Sequence, residues 1–290
     1  MRSLLFVPAD SERKLEKALH AGADALIIDL EDSVAPSRKE EARRMAADFL
    51  RKESATSRLY VRINALSSGL ADQDLAAIMP ARPMGIMLPK AEGGKDVTLL
   101  SVKLRVHEAE NRIEDGATRI LPIITETAAA VFAAGTFAGS SERLSGLTWG
   151  AEDLSAEIGA RATRDDSGRH TGVFALARSL TLLAASAAGV AAIDTVFPVF
   201  RDADAFSREC AEAERDGFTG KMAIHPAQVP IINAAFTPSQ EAIDHARRVI
   251  AALQDAGETG VASIDGEMVD RPHLARAERV LARARLAGLA

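Results

Sequence analysis

Residues 26–34 read LIIDLEDSV: three apolar residues run without interruption into Asp29, and Glu31 and Asp32 follow at once. A strand with one wet face alternates apolar and polar residues, whereas an unbroken apolar run describes a strand covered on both faces. Carboxylates at the end of such a strand are therefore not surface decoration. In a parallel sheet they stand at the C-terminal edge, where barrel enzymes carry their chemistry.

Working outward, the same kind of run recurs at 4–7, 25–30, 59–63, 85–88, 120–124, 147–149, 192–197 and 222–224. Helical patterns lie between them. Ser37 and Glu40 have capping-box spacing ahead of an apolar stripe of Ala42, Met45, Ala46, Phe49 and Leu50. Asp10 or Ser11 caps a helix carrying Leu15, Ala18 and Leu19, which Gly22 ends. Eight strand–helix units indicate a (β/α)8 TIM barrel, with a doubly wound open sheet as the competitor. The open sheet usually carries a glycine-rich phosphate turn, and the chain has neither G-x-G-x-x-G nor a P-loop; GFTGKM at 217–222 lacks the spacing and the Ser/Thr after Lys.

The expected division is a catalytic barrel over 1–236 and a C-terminal helical extension over 237–290. The extension opens on Thr237-Pro-Ser-Gln240, a capping-box start with Pro at the first helical position, and its first helix runs to about Gly257. Asp265-Gly266 then predicts a hairpin, followed by a last amphipathic helix.

Composition narrows the function classes. Of 290 residues, 47% are hydrophobic and 26% charged, the balance of a chain with a sizeable core. A net charge of −6 and 4% aromatics offer neither the basic footprint nor the stacking platforms of a nucleic-acid binder. The uncharged stretch 179–193 is too short to span a bilayer, and the apolar run in MRSLLFVPADSERK is too short for a secretory segment. The single cysteine, Cys210, excludes an intrachain disulfide and suits a reducing, cytoplasmic setting.

Reading the strand ends in order yields Asp29, Glu31 and Asp32; Arg62 and Asn64; Lys90; Glu126; Glu152 and Asp153; Asp194 and Asp202; and His225. Converging carboxylates repel one another and raise their pKa values unless a cation is present. An all-oxygen set without His/Cys spacing favours Mg²⁺, with Mn²⁺ as an alternative, over Zn²⁺. Glu126 and Asp153, from neighbouring strands, are the leading ligand pair. Asp32 and Asp202 read as helix caps, Arg62 and Lys90 are open between substrate binding and plain neutralisation, and His225 before Pro226 reads as a turn residue. The other histidines read as structural or surface residues.

The segments LLFVPADSERKLEKA, DLEDSV, VRINALSSGL, MLPKAE, ITETAAAV, WGAEDLSAEIGA, AIDTVFPVFRD, GFTGKMAIHPAQV and DGEMVDRPHLARAE occur in the order seen in the CitE-like branch of the HpcH/HpaI aldolase superfamily, which this chain resembles from about residue 3 to about residue 283. That branch holds citrate lyase β subunits, malyl-CoA lyases and citramalyl-CoA lyases. The resemblance implies a barrel with a C-terminal lid and a Mg²⁺ site, and retro-Claisen cleavage of a citramalyl-, malyl- or citryl-CoA thioester to acetyl-CoA and a keto acid. It carries the metal ligands onto Glu126 and Asp153, the substrate arginine onto Arg62 and the lid aspartate onto Asp270. The early basic segment carrying Arg13 and Lys17 falls where such enzymes meet CoA phosphates, and Glu31 and Asp32, with Asp29, would support Arg62, Lys90 and metal-bound water. A homotrimer, or a multiple of it, is implied. A malyl-CoA-type thioesterase is the alternative activity, and a citrate lyase β subunit acting on an acyl-carrier-protein thioester is the alternative setting.

Overall fold

Each of the eight apolar runs becomes a parallel strand in a computed structural model that describes residues 1–53, 58–256 and 260–289. The strands are β1 (Ser3–Pro8), β2 (Ala25–Asp29), β3 (Leu59–Arg62), β4 (Gly85–Leu88), β5 (Arg119–Pro122), β6 (Gly146–Leu147), β7 (Ala191–Asp194) and β8 (Gly220–Ala223). Their order is β5-β4-β3-β2-β1-β8-β7-β6, with β1 paired to both β2 and β8. The two ends of that order meet through parallel bridges Ile120–Leu144 and Ile123–Thr148, and the Ile124 amide donates to the Thr148 carbonyl at 2.9 Å. The sheet is thereby a nearly closed (β/α)8 barrel.

Helices α1 (Glu12–Leu19), α2 (Lys39–Glu53), α3 (Ala71–Ile78), α4 (Gly94–Glu110), α5 (Ala128–Phe132), α6 (Ala151–Ile158), α7 (Gly172–Ala188), α8 (Ala203–Asp216) and α9 (Val229–Phe236) alternate with the strands. Leu4, Ile27, Tyr60, Met87, Leu121 and Met222 pack together in the barrel core, while their neighbours Leu5, Leu26 and Ile28 are also buried. Burial on both faces is the reason the runs are apolar throughout.

The chain divides into two compact units, Met1–Asn233 and Ala234–Ala290. In the second, α10 (Gln240–Asp255), β9 (Ala262–Ile264), β10 (Glu267–Val269) and α11 (Arg271–Leu286) close over a small core of Ala246, Val249, Val269 and Ala277. The expected hairpin turn is present, with Asp265 and Gly266 at φ 52° and 86° between antiparallel β9 and β10, as a type I′ turn requires. Among the described residues no helix is long and apolar enough to cross a membrane.

Several local expectations need correction. Ser37 is not a cap: Pro36–Arg38 form a 3-10 turn entered at Ala35, because Pro36 presets its first position, and α2 continues from Lys39. Helix α10 begins two residues later than expected, with Ser239 accepting from the Ala242 amide at 3.1 Å, so Pro238 stands outside it. Its end falls at Asp255, and Gly257 lies outside the described residues. Ser11 holds the cap position of α1 without a side-chain bond, while Asp10 pairs with Arg38 at 2.6 Å.

Candidate active site

The strand-end residues meet at one mouth of the barrel. Asp29 and Arg62 are register partners on β2 and β3, and their side chains lock as a fork, with Nε and Nη2 donating to the two carboxylate oxygens at 2.7 and 2.6 Å. Such paired charge-assisted bonds fix the plane of the guanidinium as well as its position. Burial opposes ionisation of Asp29, but the bonds and charge of Arg62 outweigh it and hold the carboxyl below its usual range. Arg62 Nη1 lies 3.2 Å from Glu31 Oε2, and its guanidinium covers the Phe6 ring at 4.8 Å.

Asp29 also accepts from the Glu31 amide at 2.9 Å and the Ser33 amide at 3.2 Å. This corrects the reading of Asp32 as a cap: the turn is held by Asp29, and Asp32 stands half exposed at the rim, 3.5 Å from Lys90. Lys39 donates to the Leu30 and Glu31 carbonyls and to Asn64 Oδ1, all within 2.8 Å, bracing the same turn from α2.

Lys90 follows β4 in a left-handed conformation, φ 52°, unusual for a non-glycine residue. The bend turns its backbone amide onto Glu126 Oε2 in a short hydrogen bond. Its ammonium reaches Glu31 Oε1 at 2.7 Å and Asp153 Oδ1 at 3.4 Å. Burial lowers the pKa of Lys90, yet its bond to Glu31 and the surrounding carboxylates reverse this and raise it overall. Glu31 is raised by burial, against the opposing pull of Arg62 and Lys90.

Glu126 is the most perturbed acid in the group. It is 3% exposed, and burial first, then the charge of Asp153, push its pKa well above the usual value. A carboxylate so placed lacks a compensating charge, and a cation between it and Asp153 supplies one. Among the described residues no three or more His, Cys, Asp or Glu converge on a metal position, so the protein offers a pair. One or two carboxylates are the usual protein share at Mg²⁺, with substrate and water supplying the rest.

Glycine 150 makes room for this acid. A Cβ there would come within 2.7 Å of Glu126 Cγ, although the φ of −120° suits any residue. Gly150→Ala is therefore expected to displace the Glu126 carboxylate and weaken Mg²⁺ binding by about tenfold or more, the scale of a disturbed ligand orientation. A calorimetric Mg²⁺ titration checks this, and an unchanged affinity would contradict it.

A cavity of about 340 Å³ lies over these groups, bounded by Arg62, Glu126 and Asp153 and by the apolar walls of Phe6, Trp149 and Met222. Glu152 lines it as well. The structure therefore brings together Glu31, Asp32, Arg62, Lys90, Glu126 and Asp153. Arg13 and Lys17 stand exposed on α1, and among the described residues no hydrogen bond or ion pair joins them to the cavity's side chains. Asp270 belongs to the second unit, where it starts α11 and lies 2.6 Å from His273 Nδ1.

Asp194 departs from the expected convergence: it does not line the cavity and instead pairs with Lys221 at 2.9 Å. Asp202 caps α8 through the Ala205 amide, and His225 Nδ1 accepts from the Ala227 amide in a short turn, as expected. Phe6, Lys39 and Gly150 had not been singled out. Gly150 stands two residues before the acidic pair in WGAED, which is a usable signal, whereas nothing in the sequence marks Lys39, a helical lysine far from any strand end.

A family model described as HpcH/HpaI aldolase/citrate lyase matches residues 2–226. The mitochondrial citramalyl-CoA lyase of Mus musculus is 34% identical, over 97% of this chain and 85% of that protein. A (3S)-malyl-CoA thioesterase of Cereibacter sphaeroides (strain KD131) is 36% identical, over 98% of this chain and 94% of the relative. The crystal structure of CitE from Mycobacterium tuberculosis in complex with magnesium, acetoacetate and coenzyme A superimposes with a TM-score of 0.78 at 35% identity, covering 98% of each chain.

Proposed function

Because the chain belongs to the HpcH/HpaI aldolase/citrate lyase family, we propose that it is a Mg²⁺-dependent carbon–carbon lyase. Its substrate is a 3-hydroxyacyl-CoA thioester bearing a carboxylate on the carbinol carbon, of citramalyl, malyl or citryl type, and its products are acetyl-CoA and a keto acid. The observation that carries this reading is the pairing, in one cavity, of an under-compensated carboxylate pair, Glu126 and Asp153, with an arginine fixed by Asp29. The magnesium, acetoacetate and coenzyme A bound by the Mycobacterium tuberculosis relative support the same chemistry.

Glu126 and Asp153 would hold the metal. The chemistry Mg²⁺ supplies when bound there is Lewis acidity toward the carboxylate and hydroxyl oxygens of the substrate. Lys90, 3.4 Å from Asp153, offsets the local negative charge. Cleavage of the carbon–carbon bond sends its electron pair toward the thioester oxygen, and Arg62 is assigned to receive that charge. Its Nε and Nη2 are occupied by Asp29, which leaves Nη1 as the donor outside the fork. A donor held in place before the reaction needs no reorganisation when charge develops. Asp270 is assigned the proton transfer at the enolate carbon. Arg13 and Lys17 are assigned to the CoA phosphates.

Arg62→Lys separates these roles. An ammonium cannot fork onto Asp29, so turnover is expected to fall about 100-fold, the scale of one lost oxyanion donor, with Mg²⁺ affinity little changed. Kinetics within a few-fold of wild type would remove Arg62 from the role.

The reading as a whole is tested with Mg²⁺ and a panel of (S)-citramalyl-CoA, malyl-CoA and citryl-CoA, following keto acid, acyl-CoA and free thiol separately. Keto acid with acetyl-CoA supports the lyase. Free CoA with intact hydroxy acid turns the reading to hydrolysis, the activity named for the Cereibacter relative. Silence on all three while Mg²⁺ binds turns it to an acyl-carrier-protein thioester. We assign the working form as a cytoplasmic homotrimer, the assembly that the family resemblance implies, and light scattering of the purified chain gives the stoichiometry directly.

A further inference from the structure

A buried charge network in the barrel lies outside the cavity and is not used by the chemistry above. Asp194, at the end of β7, and Lys221, its register partner on β8, are both fully buried and pair at 2.9 Å. Lys221 also holds Glu209 of α8 at 2.8 Å, Glu209 meets Arg164 at 2.5 Å, and Arg178 of α7 reaches Asp194 at 3.3 Å. Apolar residues of similar volume would fill such a space at least as stably as a buried ion pair. What they could not do is accept a hydrogen bond. Asp194 does that: Trp149 Nε1 donates at 2.8 Å to its Oδ1, the oxygen that Arg178 also meets.

Trp149 is the one member of this group that lines the cavity. It stands two residues past the end of β6, and His170 packs against its ring edge-on at 5.0 Å. The next residue is Gly150, whose backbone stands against Glu126 with no room for a Cβ. One route from the network to the carboxylate pair therefore runs through this indole and the peptide that follows it.

We propose that Asp194 and Lys221 are positioning residues which, by anchoring the Trp149 indole, hold the Gly150 backbone against Glu126 and so set the affinity of the carboxylate pair for Mg²⁺. This rests on the reading of Glu126 and Asp153 as the metal pair. Metal-site groups are commonly tuned by partners one step removed, at about 10- to 100-fold in affinity.

Trp149 is the only tryptophan in the chain, so its emission reports this contact without labelling. In the unmodified protein, titration with Mg²⁺ alone is expected to change Trp149 emission saturably, with the same midpoint as calorimetric binding. Heat of binding with flat emission overturns the proposal and leaves the metal site standing. Absence of any Mg²⁺ binding overturns both. In a second arm, Trp149→Phe keeps a smaller aromatic ring in place and removes the Nε1 donor. Its Mg²⁺ affinity is expected to fall about tenfold with far-UV circular dichroism unchanged, and an affinity within twofold of wild type overturns the proposal. Should that variant fail to fold, the titration of the unmodified chain decides alone.

Discussion

Glu126→Gln is expected to abolish measurable Mg²⁺ binding and to lower turnover at least about 1,000-fold. Glutamine preserves the side chain's length and one acceptor for the Lys90 amide, so the barrel mouth keeps its shape and only the charge is lost. A metal's share of transition-state stabilisation is several kcal/mol, and each 1.36 kcal/mol is tenfold in rate, hence the size of the loss. The variant carries a second signature. Burial and Asp153 raise the pKa of Glu126, so the group opposes folding, with an effect that is absent below the unfolded value and grows as pH rises from there toward the raised folded value. Glutamine removes that opposition. The metal-free variant should therefore melt at the same temperature as wild type or higher. Calorimetric titration and a melting curve check the two halves, and Mg²⁺ affinity equal to wild type would remove Glu126 from the ligand set.

Asp270→Asn is expected to do the opposite to the metal and nearly the same to the rate. Its side chain accepts from the first turn of α11 and pairs with His273, and asparagine keeps an acceptor for the cap, so the second unit should fold as before. What it removes is the group able to take and return a proton. Turnover is expected to fall about 100- to 10,000-fold, the range for a general acid–base group, with Mg²⁺ affinity unchanged. Deuterium exchange into the acetyl methyl group of acetyl-CoA, followed by NMR, should vanish with it. Near-wild-type cleavage would sink the assignment.

Much of this was legible from strand ends alone. The eight runs needed no tertiary information, because a strand buried on both faces has no polar position to interrupt it. Helix starts were less legible: Ser37 and Thr237 both have the spacing of a cap, but Pro36 moved one start into a 3-10 turn and Ser239 took the other. Local hydrogen-bonding potential is shared by several neighbouring residues, and packing of the following helix decides which of them uses it.

By itself the sequence determined that a barrel forms, that its strands end in hard oxygen donors and cations, and that Glu126 and Asp153 lead the metal candidates. Only the tertiary structure decided which of those donors share a space. Asp29 and Asp194 each end a strand and each pair with a cation on the next one, Arg62 and Lys221. The first pair lines the cavity, and the second meets Arg178 and Glu209 of the surrounding helices. Side chains alternate faces at every residue of a strand, so a shift of one position in where the strand begins sends the same carboxylate inward or outward. That parity is set by pairing with neighbouring strands, which no single run of sequence contains.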